Sequence, residues 1–232
     1  MSTTTTDDTT GEITCEITCE TTCETTCETT CETTGAPGLR AVTTADVAAR
    51  FRADAETVVA ELAGVVAAVD PAQVAAATGE LLRARRVFAT GSGRSGLAVS
   101  TAAMRWMHLG LTVHRVGEVT APAIGAGDLL VVVSGSGTTG SALAAARTAT
   151  GAGARVLAVT ALTPAPLFEA ADATLVLPAA TKQDHSGSAS VQYAGSLFEQ
   201  SVVVVLDALF HSAWKTSGLA AAELWPRHTN LE

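Results

Sequence analysis

Between Thr44 and about Val69, apolar side chains return at helical spacing. Val47, Phe51, Val58, Leu62 and Val65 are separated by three, four or seven residues. The spacing predicts an amphipathic helix with this stripe turned to a core. A second helix is predicted from Asp70-Pro71-Ala72-Gln73: an acid to cap the end, proline at the first helical position, and Gln three residues past the cap. From Val87 onward the period changes. Short, mostly apolar runs alternate with helical stretches: Val87–Thr90, Thr112–Val116, Leu129–Ser134, Arg155–Thr160 and Thr174–Leu177. Helices are expected at Leu97–Leu109, stopped by Gly110, after the 135–140 loop to about Thr150, and from Ser196 through LFEQSVVVVLDALFHSAW. A short segment, Trp225–Glu232, ends the sequence.

Strands apolar throughout, rather than at every second position, belong in a sheet buried on both faces. With helices between them they form a parallel sheet with right-handed crossovers. The expected fold is therefore α/β: a three-layer, doubly wound sandwich around a five-stranded parallel sheet, preceded by a helical pair.

Composition separates residues 1–38 from this pattern. From Ile13 to Thr34 a four-residue unit repeats as ITCE, ITCE, then TTCE, and it holds all five cysteines: Cys15, Cys19, Cys23, Cys27 and Cys31. Four-residue spacing would stack the thiols on one helical face, as in a soft-metal or redox segment. Yet β-branched threonine is a poor helix former, and the segment has little apolar surface to offset the entropy of ordering. A disordered repeat tail is the expectation, with Gly35-Ala-Pro-Gly38 as the linker to a domain at 39–232. That domain, free of cysteine, uses neither disulfides nor cysteine-bound metal.

The charge of −9 also belongs mostly to the tail. Residues 1–39 carry eight acids and no Lys or Arg, leaving 15 acids against 14 bases in the rest. A nearly neutral domain gives no nucleic-acid footprint. No apolar stretch approaches the length of a membrane span, and the polar, threonine-rich start is unlike a secretory signal. A cytoplasmic protein without nucleic-acid or membrane partners is expected.

Candidate chemistry lies where two strands end. The first runs into Gly91-Ser92-Gly93-Arg94-Ser95-Gly96, which fits the dinucleotide pattern G-x-G-x-x-G, and Glu118 stands about twenty residues farther on. The loop's variable positions are two hydroxyls and a cation, however. The third strand ends in a similar loop carrying Ser134, Ser136, Thr138, Thr139 and Ser141. Hydroxyls on a glycine-rich backbone, at the start of a helix, suit a terminal phosphate with its many acceptor oxygens. Arg94 can also be a solvated surface arginine. Ser196-Leu-Phe-Glu199 reads as a capping box. His108 and His114 read as structural, and Met104, Trp106 and Met107 as core or subunit contact.

The stretches GSGRSG, MRWMHLG, VGEVTAP and GDLLVVVSGSGTT, with YAGSLFEQSVVVVLD and the ending RHTNLE, resemble the sugar isomerase (SIS) domain. They are most similar to the 6-phospho-3-hexuloisomerase family, from about Leu39 to Glu232. The resemblance implies interconversion of a 6-phosphohex-3-ulose and fructose 6-phosphate in the ribulose monophosphate route, without metal or cofactor, by a homotetramer. It implies phosphate binding by Ser134, Ser136 and Thr139, with Ser95 lining the same pocket and Ser92, Arg94 and Thr138 in the same loops. It implies that Glu199, next to Phe198, is the catalytic base rather than a cap. His228 becomes a candidate second proton-handling group, acting from a tail folded into its own or a neighbouring subunit's pocket. The acid common in SGSGET is Thr138 here, and the 182–190 loop is not distinctive. Two other readings stay open: a different SIS-type aldose–ketose phosphate isomerase, and a non-catalytic sugar-phosphate sensor, which the acidic extra segment disfavours.

Overall fold

The computed structural model describes residues 42–184 and 186–231. The repeat and its linker lie outside them. Helix α1 (Thr44–Ala68) meets α2 (Pro71–Arg83) at a bend of 80°. Asp70 caps α2, its carboxylate accepting from the Ala72 N–H at 2.8 Å, with Pro71 at the first position as expected. Five strands follow, β1 (Val87–Gly91), β2 (Val113–Arg115), β3 (Leu129–Val133), β4 (Arg155–Thr160) and β5 (Ala173–Val176). They pair in parallel in the order β2-β1-β3-β4-β5. Helices α3 (Arg94–Leu109), α4 (Gly140–Gly151) and the short α5 (Pro166–Glu169) lie between strands. Helix α6 (Ser196–Ser217), α7 (Ala221–Leu224) and a 3₁₀ turn (Trp225–Arg227) close the chain.

The sheet is buried on both faces. All five residues of β3 are buried. Leu129, Val131 and Val133 pack toward α2, α3 and α6, while Leu130 and Val132 pack toward α4 and α5. Both faces of the sheet are thus removed from water, at about 1.5–3 kcal/mol for each fully buried aliphatic side chain. The expected three-layer sandwich is present, with a purely parallel sheet.

The amino-terminal edge of the sheet is held by ions. Asp128 accepts from Arg86 at 2.6 and 3.0 Å, from Arg85 at 3.2 and 3.3 Å, and from the Gly125 N–H at 2.9 Å. Glu80 takes both arms of Arg155 at 2.6 Å.

Three differences from the sequence pattern are physical. Helix α3 starts at Arg94, so Ser95 and Gly96 lie in its first turn rather than in a loop. The α1 stripe reaches the core only at its carboxyl half: Val65 is buried, but Phe51 is 70% exposed and Val47 54%. Periodicity marks an apolar face without saying what covers it. The short α5 and α7 carry too few residues for any period to show. Among the described residues no single helix is long and apolar enough to cross a membrane.

Candidate active site

In this strand order the chain leaves β1 and β3, which are neighbours, toward opposite faces of the sheet. Helix α3 joins one core layer and α4 the other. The two loops therefore diverge and open a crevice at the carboxyl ends of the strands, where doubly wound folds bind ligands. A cavity of about 280 Å³ lies there. It is lined by Ser92 and Ser95 from the first loop and by Ser134, Ser136, Thr138 and Thr139 from the second. The structure thus brings together six of the seven hydroxyl residues picked out in the sequence; the seventh, Ser141, lies in the first turn of α4 and is not among the lining residues.

Backbone geometry accounts for the glycines. Gly93 turns at φ +58° and ψ −134°, a conformation open to glycine alone. A Cβ on Gly96 would come 2.5 Å from the Gly91 carbonyl oxygen, so only hydrogen at this position lets α3 start so close to the strand end. Neither α3 nor α4 receives a side-chain bond at its N-cap, Gly93 or Thr139. Their first-turn N–H groups and positive dipole ends sit at the cavity, an arrangement that favours an anion. The hydroxyls lie close to one another: Ser134 and Thr139 at 2.9 Å, Thr138 donating to Ser136 at 2.9 Å, and Ser92 and Ser141 at 3.0 Å across the two loops.

Glu199 lines the same cavity from the first turn of α6 and is 6% exposed. The capping box does not form. Gly195 is the N-cap, and the Ser196 hydroxyl accepts from Arg94 Nη1 at 3.2 Å. The Glu199 carboxylate pairs instead with two cations, Arg94 Nε at 3.1 Å from Oε2 and Lys182 Nζ at 3.7 Å from Oε1. Arg94 is thus tied to the start of α6. Phe198 covers the second loop, and a Cβ on Gly135 would meet its ring at 3.0 Å.

His228 is not brought to this cavity by its own chain. Its ring stacks on His108 at 5.1 Å and on Trp225 at 5.0 Å, beside a separate cavity of about 680 Å³ that also touches Asp207 and His211. Burial, with the charges of His228 and Arg105, lowers the pKa of His108. Glu118 lines other cavities, beside Met104 and Met107 or beside Phe88, so the acid of the dinucleotide pattern is not set beside the 91–96 loop.

Lys182, which the sequence did not single out, is part of the site. It lies in the irregular 177–195 connection, whose far end is held by α1. Glu61 accepts from the Ser190 hydroxyl at 2.7 Å, the Val191 N–H at 2.8 Å and the Gln192 amide at 2.9 Å. Burial raises the Glu61 pKa, but these three donors outweigh it and hold it below the usual value. No periodicity marks such a segment, and a lysine within it reads as solvated surface.

Comparison with known proteins adds an independent line. The SIS domain family model matches residues 80–206. A protein of Mycobacterium gastri named 3-hexulose-6-phosphate isomerase is 53% identical over 172 residues, covering 74% of this chain and 86% of its own. One of the same name from Bacillus subtilis (strain 168) is 35% identical over 153 residues, 66% of this chain and 83% of its own. A crystal structure from Methanococcus jannaschii, for which a 3-hexulose-6-phosphate isomerase function was inferred, superposes with a TM-score of 0.68 at 28% identity. It covers 78% of this chain and 99% of that one.

Proposed function

Since the chain belongs to the SIS-domain family and, within it, to the 3-hexulose-6-phosphate isomerases, we propose that it interconverts D-arabino-hex-3-ulose 6-phosphate and fructose 6-phosphate. The protein is an isomerase of a phosphorylated sugar. The observation that carries the reading is the Glu199 carboxylate, buried and paired with cations, in the same cavity as six hydroxyls and two helix starts. One end of such a cavity takes a phosphate, and the other holds a base over the sugar carbons.

The phosphate accepts from Ser134, Ser136 and Thr139, with Ser92, Ser95 and Thr138 at its margin and the first amides of α4 beneath it. Glu199 removes the proton from C2 of the hexulose, giving an enediol, and returns it to C3. Arg94, bonded to both Ser196 and Glu199, fixes the base in place. Electrons move only within the substrate, so the reaction calls for no redox cofactor. We take the protein to act in the cytoplasm, in the ribulose monophosphate route.

A homotetramer is the assembly this reading adopts. Exposed apolar side chains on α1 and α3, among them Phe51, Leu97 and Met104, support it. In that assembly His228 serves the site of a neighbouring copy, because in its own chain it stacks between His108 and Trp225.

The test is turnover of the hexulose phosphate by the wild type and by Glu199→Gln, with NAD titrated in parallel. The wild type converts it, the variant folds but loses turnover, and NAD does not bind. Near-normal activity in Glu199→Gln overturns the assignment of the base.

A further inference from the structure

Removing a proton from C2 solves half of the reaction. The negative charge that develops goes to O3, and the O2 proton must then move to O3 so that the carbonyl can form at C2. Glu199, occupied with the carbon-bound proton, does neither. A cation or proton donor at the sugar oxygens is needed, in the same cavity and at the base's end of it.

Resting on the isomerisation proposed above, we infer that the ammonium of Lys182 is this group. Lys182 lines the cavity together with the phosphate hydroxyls and Glu199. Its Nζ stands 3.7 Å from Glu199 Oε1, which places it beside the base. The other cation on the carboxylate, Arg94, also donates to the Ser196 hydroxyl at 3.2 Å, and it is not among the cavity-lining residues. Arg94 is thus committed to positioning, whereas Lys182 faces the cavity itself. An ammonium with three donors on a flexible stem can serve two adjacent oxygens in turn. The backbone makes room for it: a Cβ on Gly195 would lie 3.1 Å from Lys182 Cγ and 3.8 Å from Glu199 Oε1. Glycine at the N-cap of α6 therefore lets the lysine stem pass over the helix start toward the carboxylate.

The steps balance. Glu199 takes the C2 proton, the C–H electron pair forms the C2=C3 double bond, and the C3 carbonyl pair moves onto O3. Lys182 gives a proton to O3 and takes the one on O2. The charge on O2 then collapses to the C2 carbonyl, and the double-bond pair takes the proton from Glu199 at C3. Both side chains end as they began. In water the Lys182–Glu199 pair is screened and contributes little. Once substrate has displaced water, the same ammonium acts at lower dielectric on charge that exists only in the transition state.

The experiment is steady-state kinetics of Lys182→Met, Lys182→Arg and Gly195→Ala against the wild type, with fructose 6-phosphate affinity measured by calorimetry and folding checked by circular dichroism. Lys182→Met is expected to lose roughly 10²–10³ in kcat, the scale for removing one charge-stabilising donor. Its affinity for fructose 6-phosphate stays within about threefold, because such a donor acts on the transition state. Lys182→Arg recovers part of the loss, and Gly195→Ala lowers kcat by displacing the stem. Two results overturn the inference: kcat of Lys182→Met near the wild-type value, or a large fall in affinity with kcat kept, which would make Lys182 a phosphate ligand. Failure of the wild type itself to interconvert the two sugars would instead remove the proposed function.

Discussion

Asp128 offers a way to separate what holds the fold from what runs the site. It is 1% exposed and stands at the amino end of β3, whereas the site opens at the strands' carboxyl ends. Its carboxylate takes four guanidinium bonds from Arg85 and Arg86 and one backbone bond from Gly125. Burial raises its pKa, but Arg86, the Gly125 N–H and Arg85 together hold it below the usual carboxylate value. Asp128→Asn keeps the shape, removes the charge and turns one acceptor into a donor facing a cation. Hydrogen bonds to charged groups contribute about 1.5–3 kcal/mol. The arginines can turn back to water, so we expect a loss of about 2–3 kcal/mol, well short of the cost of a fully buried orphan charge. For a domain of this size that lowers Tm by roughly 4–12 °C.

The sign with pH follows from the lowered folded value. The unfolded carboxyl titrates near pH 4, so the stability Asp128 contributes is complete above about pH 4 and is lost as pH falls through its lower folded pKa. Thermal melts from about pH 3 to 7 check both points. The variant should melt lower at neutral pH and lose less of its stability than the wild type on acidification, with kcat at 25 °C unchanged. An unchanged Tm, or a fall in kcat in a fully folded variant, would refute the reasoning.

Two further outcomes probe the site. Ser134→Ala removes a buried hydroxyl 2.9 Å from that of Thr139, and by the scale for a bond to a charged partner should raise KM about ten- to a hundredfold while kcat changes little. Steady-state kinetics decides it, and a loss confined to kcat would place Ser134 away from the phosphate. If His228 serves a neighbouring copy, His228→Ala and Glu199→Gln are each inactive, yet activity returns when the two are unfolded, mixed and refolded together. No recovery in verified mixed oligomers counts against a shared site.

How far the sequence reached depends on where the physics is local. The apolar runs at 129–134 and 155–160 announced a sheet buried on both faces; β3 is its central strand and β4 lies beside it. The hydroxyls of the two loops could be found because glycine and serine cluster at strand ends, and the strand order then made them neighbours. Glu199 was ambiguous for a physical reason: Ser and Glu three residues apart satisfy a cap as well as a site. The decision lay with Arg94, 105 positions away in the chain and 3.1 Å away in space. Lys182 left no local mark, since its role depends on contacts that the 177–195 connection makes across the fold. The α1 stripe was legible as a face, but half of that face is not covered within the described chain.

The central claim is that the proton moved lies between C2 and C3. It is tested most directly by incubating the protein with fructose 6-phosphate in deuterium oxide and following the sugar protons by NMR. The account predicts that the 3-keto sugar appears, that deuterium enters C3 as the proton held by Glu199 exchanges with solvent during the life of the enediol, and that the two protons on C1 persist; Glu199→Gln should abolish both conversion and exchange. Exchange at C1 would show an aldose–ketose isomerase instead, and neither exchange nor any 3-keto sugar with the wild type would show a sugar-phosphate binding module, either of which contradicts the account.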